Sequence, residues 1–119
     1  MRLASFSVPL SGGYGDLSVI QLGGSGGGIE SNVNRWRRQL NLEPISLIEI
    51  DNNIIRKKGK LGTYSMIQII NDKMDNAFLC AILPTVDSTI FVKLSLSYKE
   101  IPEVIDDFIA FCSSLNIPN

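Results

Sequence analysis

The sequence predicts an α+β fold: a largely antiparallel sheet packed with one helix in the N-terminal half and a second at the C-terminal end. Three observations carry this. Ile29 to Leu40 and Ile101 to Leu115 space their apolar residues by three and four, the stripe of an amphipathic helix. Elsewhere, runs of five to nine residues alternate or concentrate apolar side chains in the manner of strands. Those runs come in pairs joined by short Gly, Pro and Asp connections, and a short connection makes neighbouring strands antiparallel.

Leu3 to Val8 sets Leu3, Ser5 and Ser7 against Ala4, Phe6 and Val8, and reads as a strand that stops at Pro9, where a ladder donor is lost. Ser11-Gly12-Gly13-Tyr14-Gly15-Asp16 is turn chemistry, and Leu17 to Leu22 returns as the second strand of a hairpin. Gly23-Gly24-Ser25-Gly26-Gly27-Gly28 imposes little conformation of its own and leads into the first helix. Ile29, Val33, Trp36 and Leu40 form that helix's stripe, which places Trp36 in the core. Gly28 or Ser31 caps its start, and Glu30, Arg37 and Arg38 suit its dipole. Pro44 bars continuation.

Ser46 to Asn53 reads either as a short helix capped by Ser46 or as an extended entry to the sheet. Ile54 to Lys58 and Thr63 to Ile70, around Gly59-Lys60-Leu61-Gly62, make a second hairpin, and Asn71 to Asn76 is a polar connection. Ala77 to Leu83 and Thr89 to Leu96 form the clearest strand pair, joined by Pro84-Thr85-Val86-Asp87-Ser88. In the latter strand Ile90, Val92, Leu94 and Leu96 face one way, and Thr89, Phe91, Lys93 and Ser95 the other. The last helix spans about Lys99 to Leu115, with Pro102 in its first turn and Ile101, Val104, Ile105, Phe108, Phe111, Cys112 and Leu115 as a broad stripe.

A chain of 119 residues, 45% apolar and 19% charged, suits a single folded domain spanning 1–119, and neither an internal repeat nor a linker divides it. The net charge of −1 exerts no overall pull toward nucleic acid or an anionic membrane. Charge is unevenly placed, however. Seven basic residues (Arg35, Arg37, Arg38, Arg56, Lys57, Lys58, Lys60) face three acids between positions 35 and 60, whereas seven acids face three lysines from 71 onward. No stretch approaches the roughly 18 apolar residues of a membrane span. Ser5, Ser7, Pro9 and Gly12 interrupt any early signal-peptide run, and Met1 reads equally as a native start or as a start codon placed after a removed export segment. Cys80 and Cys112 lie in apolar contexts and are expected as two buried thiols. Sequence leaves a strand-to-helix disulfide open, and the spacing matches no metal or redox motif.

The run Gly26-Gly27-Gly28-Ile29-Glu30-Ser31-Asn32-Val33-Asn34-Arg35-Trp36-Arg37-Arg38-Gln39-Leu40 resembles a small family of bacterial exported proteins and lipoproteins. Those proteins set a glycine-rich loop before an Asn-x-x-Arg-Trp helix. An apolar strand, an aromatic-rich strand followed by Lys-Leu, and a final helix with a Phe near a Ser-Leu end come later. Here these are Leu79 to Leu83, Ile90-Phe91-Val92-Lys93-Leu94, and Phe108 to Leu115, with Ile90-Phe91-Val92 standing where the family has an aromatic pair. The order of elements is also similar to the PsbP-like α/β/α sandwich, known from an extrinsic photosystem II subunit and a Ran-binding nuclear-import factor. The resemblance implies an extracytoplasmic location, periplasmic or lipid-anchored, with membrane contact only through an anchor absent from this chain. It implies no known chemistry, and its fold relatives are mostly non-enzymatic.

The candidate binding residues cluster at the loop–helix junction: Gly24, Ser25, Gly26, Gly27 and Gly28, whose successive N–H groups are able to cradle an anion, and Asn32, Arg35 and Arg38 on a polar helix surface outside the stripe. The loop is neither a Walker A motif nor a dinucleotide fingerprint. The Arg56-Lys57-Lys58-Gly59-Lys60 hairpin adds a second basic cluster for an acidic partner. The basic face lacks the interleaved aromatics of a nucleic-acid site. The chain has no histidine, the commonest acid–base group and zinc ligand. Asp106 and Asp107 are adjacent on a helix and point to different sides. The expectation is a non-enzymatic binding or accessory module for a protein or small anion, without cofactor or metal. The alternatives are an enzyme using a cleft carboxylate or Cys80, and a purely structural domain of a larger assembly.

Overall fold

The computed structural model describes residues 2–116; Met1, whose status the sequence left open, lies outside them. The chain forms β1 (Arg2–Leu10), β2 (Gly13–Gly23), α1 (Ile29–Gln39), α2 (Leu47–Asn53), β3 (Ile55–Gly59), β4 (Gly62–Asn71), β5 (Asn76–Pro84), β6 (Ser88–Leu96) and α3 (Ile101–Ser114). The six strands make one antiparallel sheet in the order β1-β2-β6-β5-β4-β3. The fold is therefore α+β, as the pairing of short connections predicts.

The period-two alternation divides the sheet into two apolar faces. On one, Leu17, Val19, Met66, Leu79, Leu83, Val92 and Leu94 pack under Val104, Phe108 and Cys112 of α3. On the other, Ile67, Ile69, Phe78, Cys80 and Phe91 pack under Val33 and Trp36 of α1 and Ile50 of α2. The alternation along β6 falls as expected, with Ile90, Val92, Leu94 and Leu96 toward α3 and Phe91 toward α1. Among the described residues no helix is long and apolar enough to cross a membrane.

Several boundaries differ from expectation. β1 runs through Pro9 to Leu10, because β1 is an edge strand and one of its flanks needs no ladder donor. Gly13 to Asp16 belong to β2, which narrows the first turn to Ser11 and Gly12. That turn is pinned to the start of α3: Ser11 donates through N and Oγ to the Glu103 carboxylate, and Gly12 N donates to Glu100. Ser46 to Asn53 takes the helical alternative, with Ser46 Oγ accepting from Glu49 N. α1 stops well before Pro44. Asn41, at φ 59°, turns the chain left-handed, and the Asn41 and Leu42 N–H groups bond back to the Arg38 and Arg37 carbonyls, the bonding of a Schellman end.

Candidate functional site

The glycine loop starts where β2 ends, and three of its N–H groups are already engaged. Gly24 N donates to Asp87 O, Gly26 N to Gly23 O and Gly28 N to Ser25 O. Gly26 sits at φ 63° against the Phe91 ring, where an added Cβ would stand 2.6 Å from a ring carbon. Glycine is required there both for the turn and for the close approach. A hollow of about 300 Å³ beside the loop is lined by Gly24, Ser25, Gly28 and the β5–β6 turn, and Asp87 is its one charged residue. Three of the loop N–H groups thus serve backbone carbonyls, and Asp87 shares the hollow's lining.

Asn32 departs from expectation. It was placed on the polar surface, yet it is fully buried. Its Nδ2 donates to Gly26 O at 3.0 Å and to Gly28 O at 2.6 Å, while its Oδ1 accepts from Arg35 Nη1 at 2.7 Å. A buried amide is stable only when its polar atoms are paired, and here the pairing staples the loop to α1 and holds Arg35. Asn34 is likewise structural, exchanging two 2.9 Å bonds with the Ile45 backbone.

Arg35 does reach a concavity. A groove of about 340 Å³ runs between α1 and strands β2 and β6. Its helix wall is Arg35, Trp36 and Gln39; its sheet floor is Ser18, Ile20 and Leu22 of β2 with Phe91 and Lys93 of β6. Trp36 meets Phe91 edge-on, with centroids 6.1 Å apart and planes at 73°. The Arg35 guanidinium lies 5.7 Å from the Trp36 ring centre. Lys93 Nζ lies 4.6 Å from the Phe78 ring centre and donates to Gln39 Oε1 at 3.1 Å. Aromatic faces hold both cations in place. The groove lining contains two cations and no carboxylate.

The remaining candidates separate from this groove. Arg38 is exposed on the last turn of α1, outside the groove lining. The Arg56–Lys60 hairpin belongs to the far edge of the sheet, three strands beyond β6, and Lys60 N bonds Ser113 O of α3. The two basic clusters therefore do not converge. The alternation along β6 puts Lys93 on the Phe91 face, and that is the sequence signal that points it toward α1.

Cys80 and Cys112 are free and buried, one in each core. Burial pushes the Cys80 thiol up, against the opposing pull of Lys93 and Arg35. A fully buried, protonated thiol lacks the exposure of a nucleophile. A third concavity, of about 320 Å³, lies between α3 and the β1–β2 hairpin and has Glu103 and Asp107 in its lining; Glu103 is engaged by Ser11. Among the described residues no group of His, Cys, Asp or Glu is arranged to hold a metal ion. Compared with family models, curated proteins and solved structures, the chain matches none.

Proposed function

We propose that this chain is a non-enzymatic binding module that takes an anionic group into the groove between α1, β2 and β6. The observation that carries the reading is the pairing of Arg35 and Lys93 over an aromatic floor without a neighbouring acid in the lining. Such a concavity, mostly apolar with a few convergent polar groups, has the form of a small-ligand site. The two segments that carry the family resemblance, the Arg35-Trp36 helix and the Phe91-Val92-Lys93 strand, meet here. The sequence resemblance supports a PsbP-like sandwich and, with it, an extracytoplasmic accessory role.

The test is a comparison of inorganic phosphate, acetate, benzoate and methylammonium by amide chemical shifts. Anions are expected to shift Ser18, Arg35, Trp36 and Lys93, and Arg35→Gln and Lys93→Gln each to weaken the effect. A response to methylammonium alone, or one indifferent to both substitutions, would sink the reading.

A further inference from the structure

We propose that the β3 edge of the sheet is a second site, separate from the groove, which takes an extended acidic peptide segment as an added strand. Both its main chain and its charges fit such a partner. β3 and β4 are joined by the two-residue turn Lys60-Leu61, so the closing pair Gly59–Gly62 is bonded across the turn. Bonded pairs then alternate along an antiparallel ladder. Gly59, Lys57 and Ile55 turn their main-chain groups toward β4, and Arg56 and Lys58 turn theirs outward, at the free edge. Lys60 N donates to Ser113 O at 2.9 Å, which anchors the turn to α3 and sets the edge before a partner arrives. From Ile54 to Ile70 the sequence holds four bases, Arg56, Lys57, Lys58 and Lys60, and no acid. Among the described residues, none of these four side chains has a hydrogen-bond or ion-pair partner. Arg56 and Lys58 are exposed and stand opposite Ser65 and Thr63, on one face of the sheet and about 7 Å apart along the strand. A strand with acids at alternate positions sets one carboxylate against each. Edge charges keep a strand from pairing with its own copy, and here β3 against β3 would oppose like charges. The same charges admit a strand of opposite sign. Alternating N–H and C=O groups match another main chain, whereas a DNA phosphate backbone offers acceptors only.

The full chain, isotope-labelled for amide NMR, is titrated with the peptide Thr-Glu-Val-Glu-Val-Glu-Thr, acetylated and amidated at its ends. Three further probes are its analogue N-methylated at each Glu, which keeps every charge and loses the ladder donors, the peptide Thr-Lys-Val-Lys-Val-Lys-Thr, and a short oligothymidylate. The acidic peptide is expected to shift the Arg56 and Lys58 amides and to slow their exchange with solvent, because it bonds those N–H groups. The N-methylated analogue is expected to bind at least about tenfold more weakly, since two ladder bonds supply about that factor. Arg56→Glu with Lys58→Glu, both at exposed positions, is expected to lose the acidic peptide and to gain the lysine peptide. Equal binding of the N-methylated analogue would overturn strand addition, and so would an oligothymidylate that protects the same two amides as well as the peptide does. An acidic peptide that leaves both amides unmoved, or that moves only the groove amides Ser18, Trp36 and Lys93, would overturn the site itself.

Discussion

Asn32 is the joint between the glycine loop and the groove, because one amide bonds two loop carbonyls and the guanidinium of Arg35. Asn32→Ala removes all three bonds inside the protein, and the expected loss is about 2 kcal/mol, measured by urea denaturation. Arg35 should also lose its fixed position, so anion binding should weaken even where the variant stays folded. Burial of Cys112 acts on a different axis. Its thiol is pushed up to about 12 from an ordinary 9.0. The folded state thus keeps a proton that the unfolded chain gives up first. The resulting stability is complete below pH 9 and drains away as pH rises toward 12. Cys112→Ala should flatten that part of the stability–pH curve relative to the parent. The burial of Cys112 was legible in its apolar context, whereas that of Asn32 was not. The polarity of Asn32 reads as solvent-facing, although three places after Ile29 and four before Trp36 put it on the stripe side, and the loop folding back over it supplies the partners that a buried amide needs.

The helices were legible because apolar spacing is a local property. Ile29, Val33, Trp36 and Leu40 had to share one side of α1 whatever lay beneath. Trp36→Ala is expected to cost about 3–5 kcal/mol in a denaturant melt; near-zero loss would mean that the wall of the groove is not packed as described. The turns were less legible, because their constraints come from elements distant in sequence. Gly59 shows this: a Cβ there would stand 2.6 Å from Ser113 Cα of α3. Gly59→Ala meets the main chain of Ser113, and a destabilisation of about 1–3 kcal/mol is expected, with a lowered melting temperature as the readout. Nothing between Lys58 and Lys60 signals that contact, which arises only when β3 is laid at the sheet edge beside α3.

Across the whole molecule, α1 and α3 differ in charge, although α2 beside α1 carries Glu49 and Asp51. α1 carries Arg35, Arg37 and Arg38, whereas α3 carries Glu103, Asp106 and Asp107 and no base. The convergence of Arg35 and Lys93 was hidden, since α1 meets β6 across the intervening elements α2, β3, β4 and β5. Stability should be graded along the sheet. β5 and β6 are flanked by strands and covered on both faces. Their amides, Phe78 to Leu83 and Phe91 to Leu94, are expected to exchange with solvent only through global unfolding, and those of β1 faster by at least about tenfold. Uniform exchange across the sheet, read by mass or NMR, would contradict this gradient.

The Ser113 carbonyl that meets Lys60, and the Glu103 that holds Ser11, tie α3 to both edge hairpins at once. A nascent chain on the ribosome has all six strands before it has the helix that shields Leu79, Val92 and Leu94. During that interval one broad oily surface stands open to neighbouring chains, so emergence of the last helix is the moment at which self-association competes with folding.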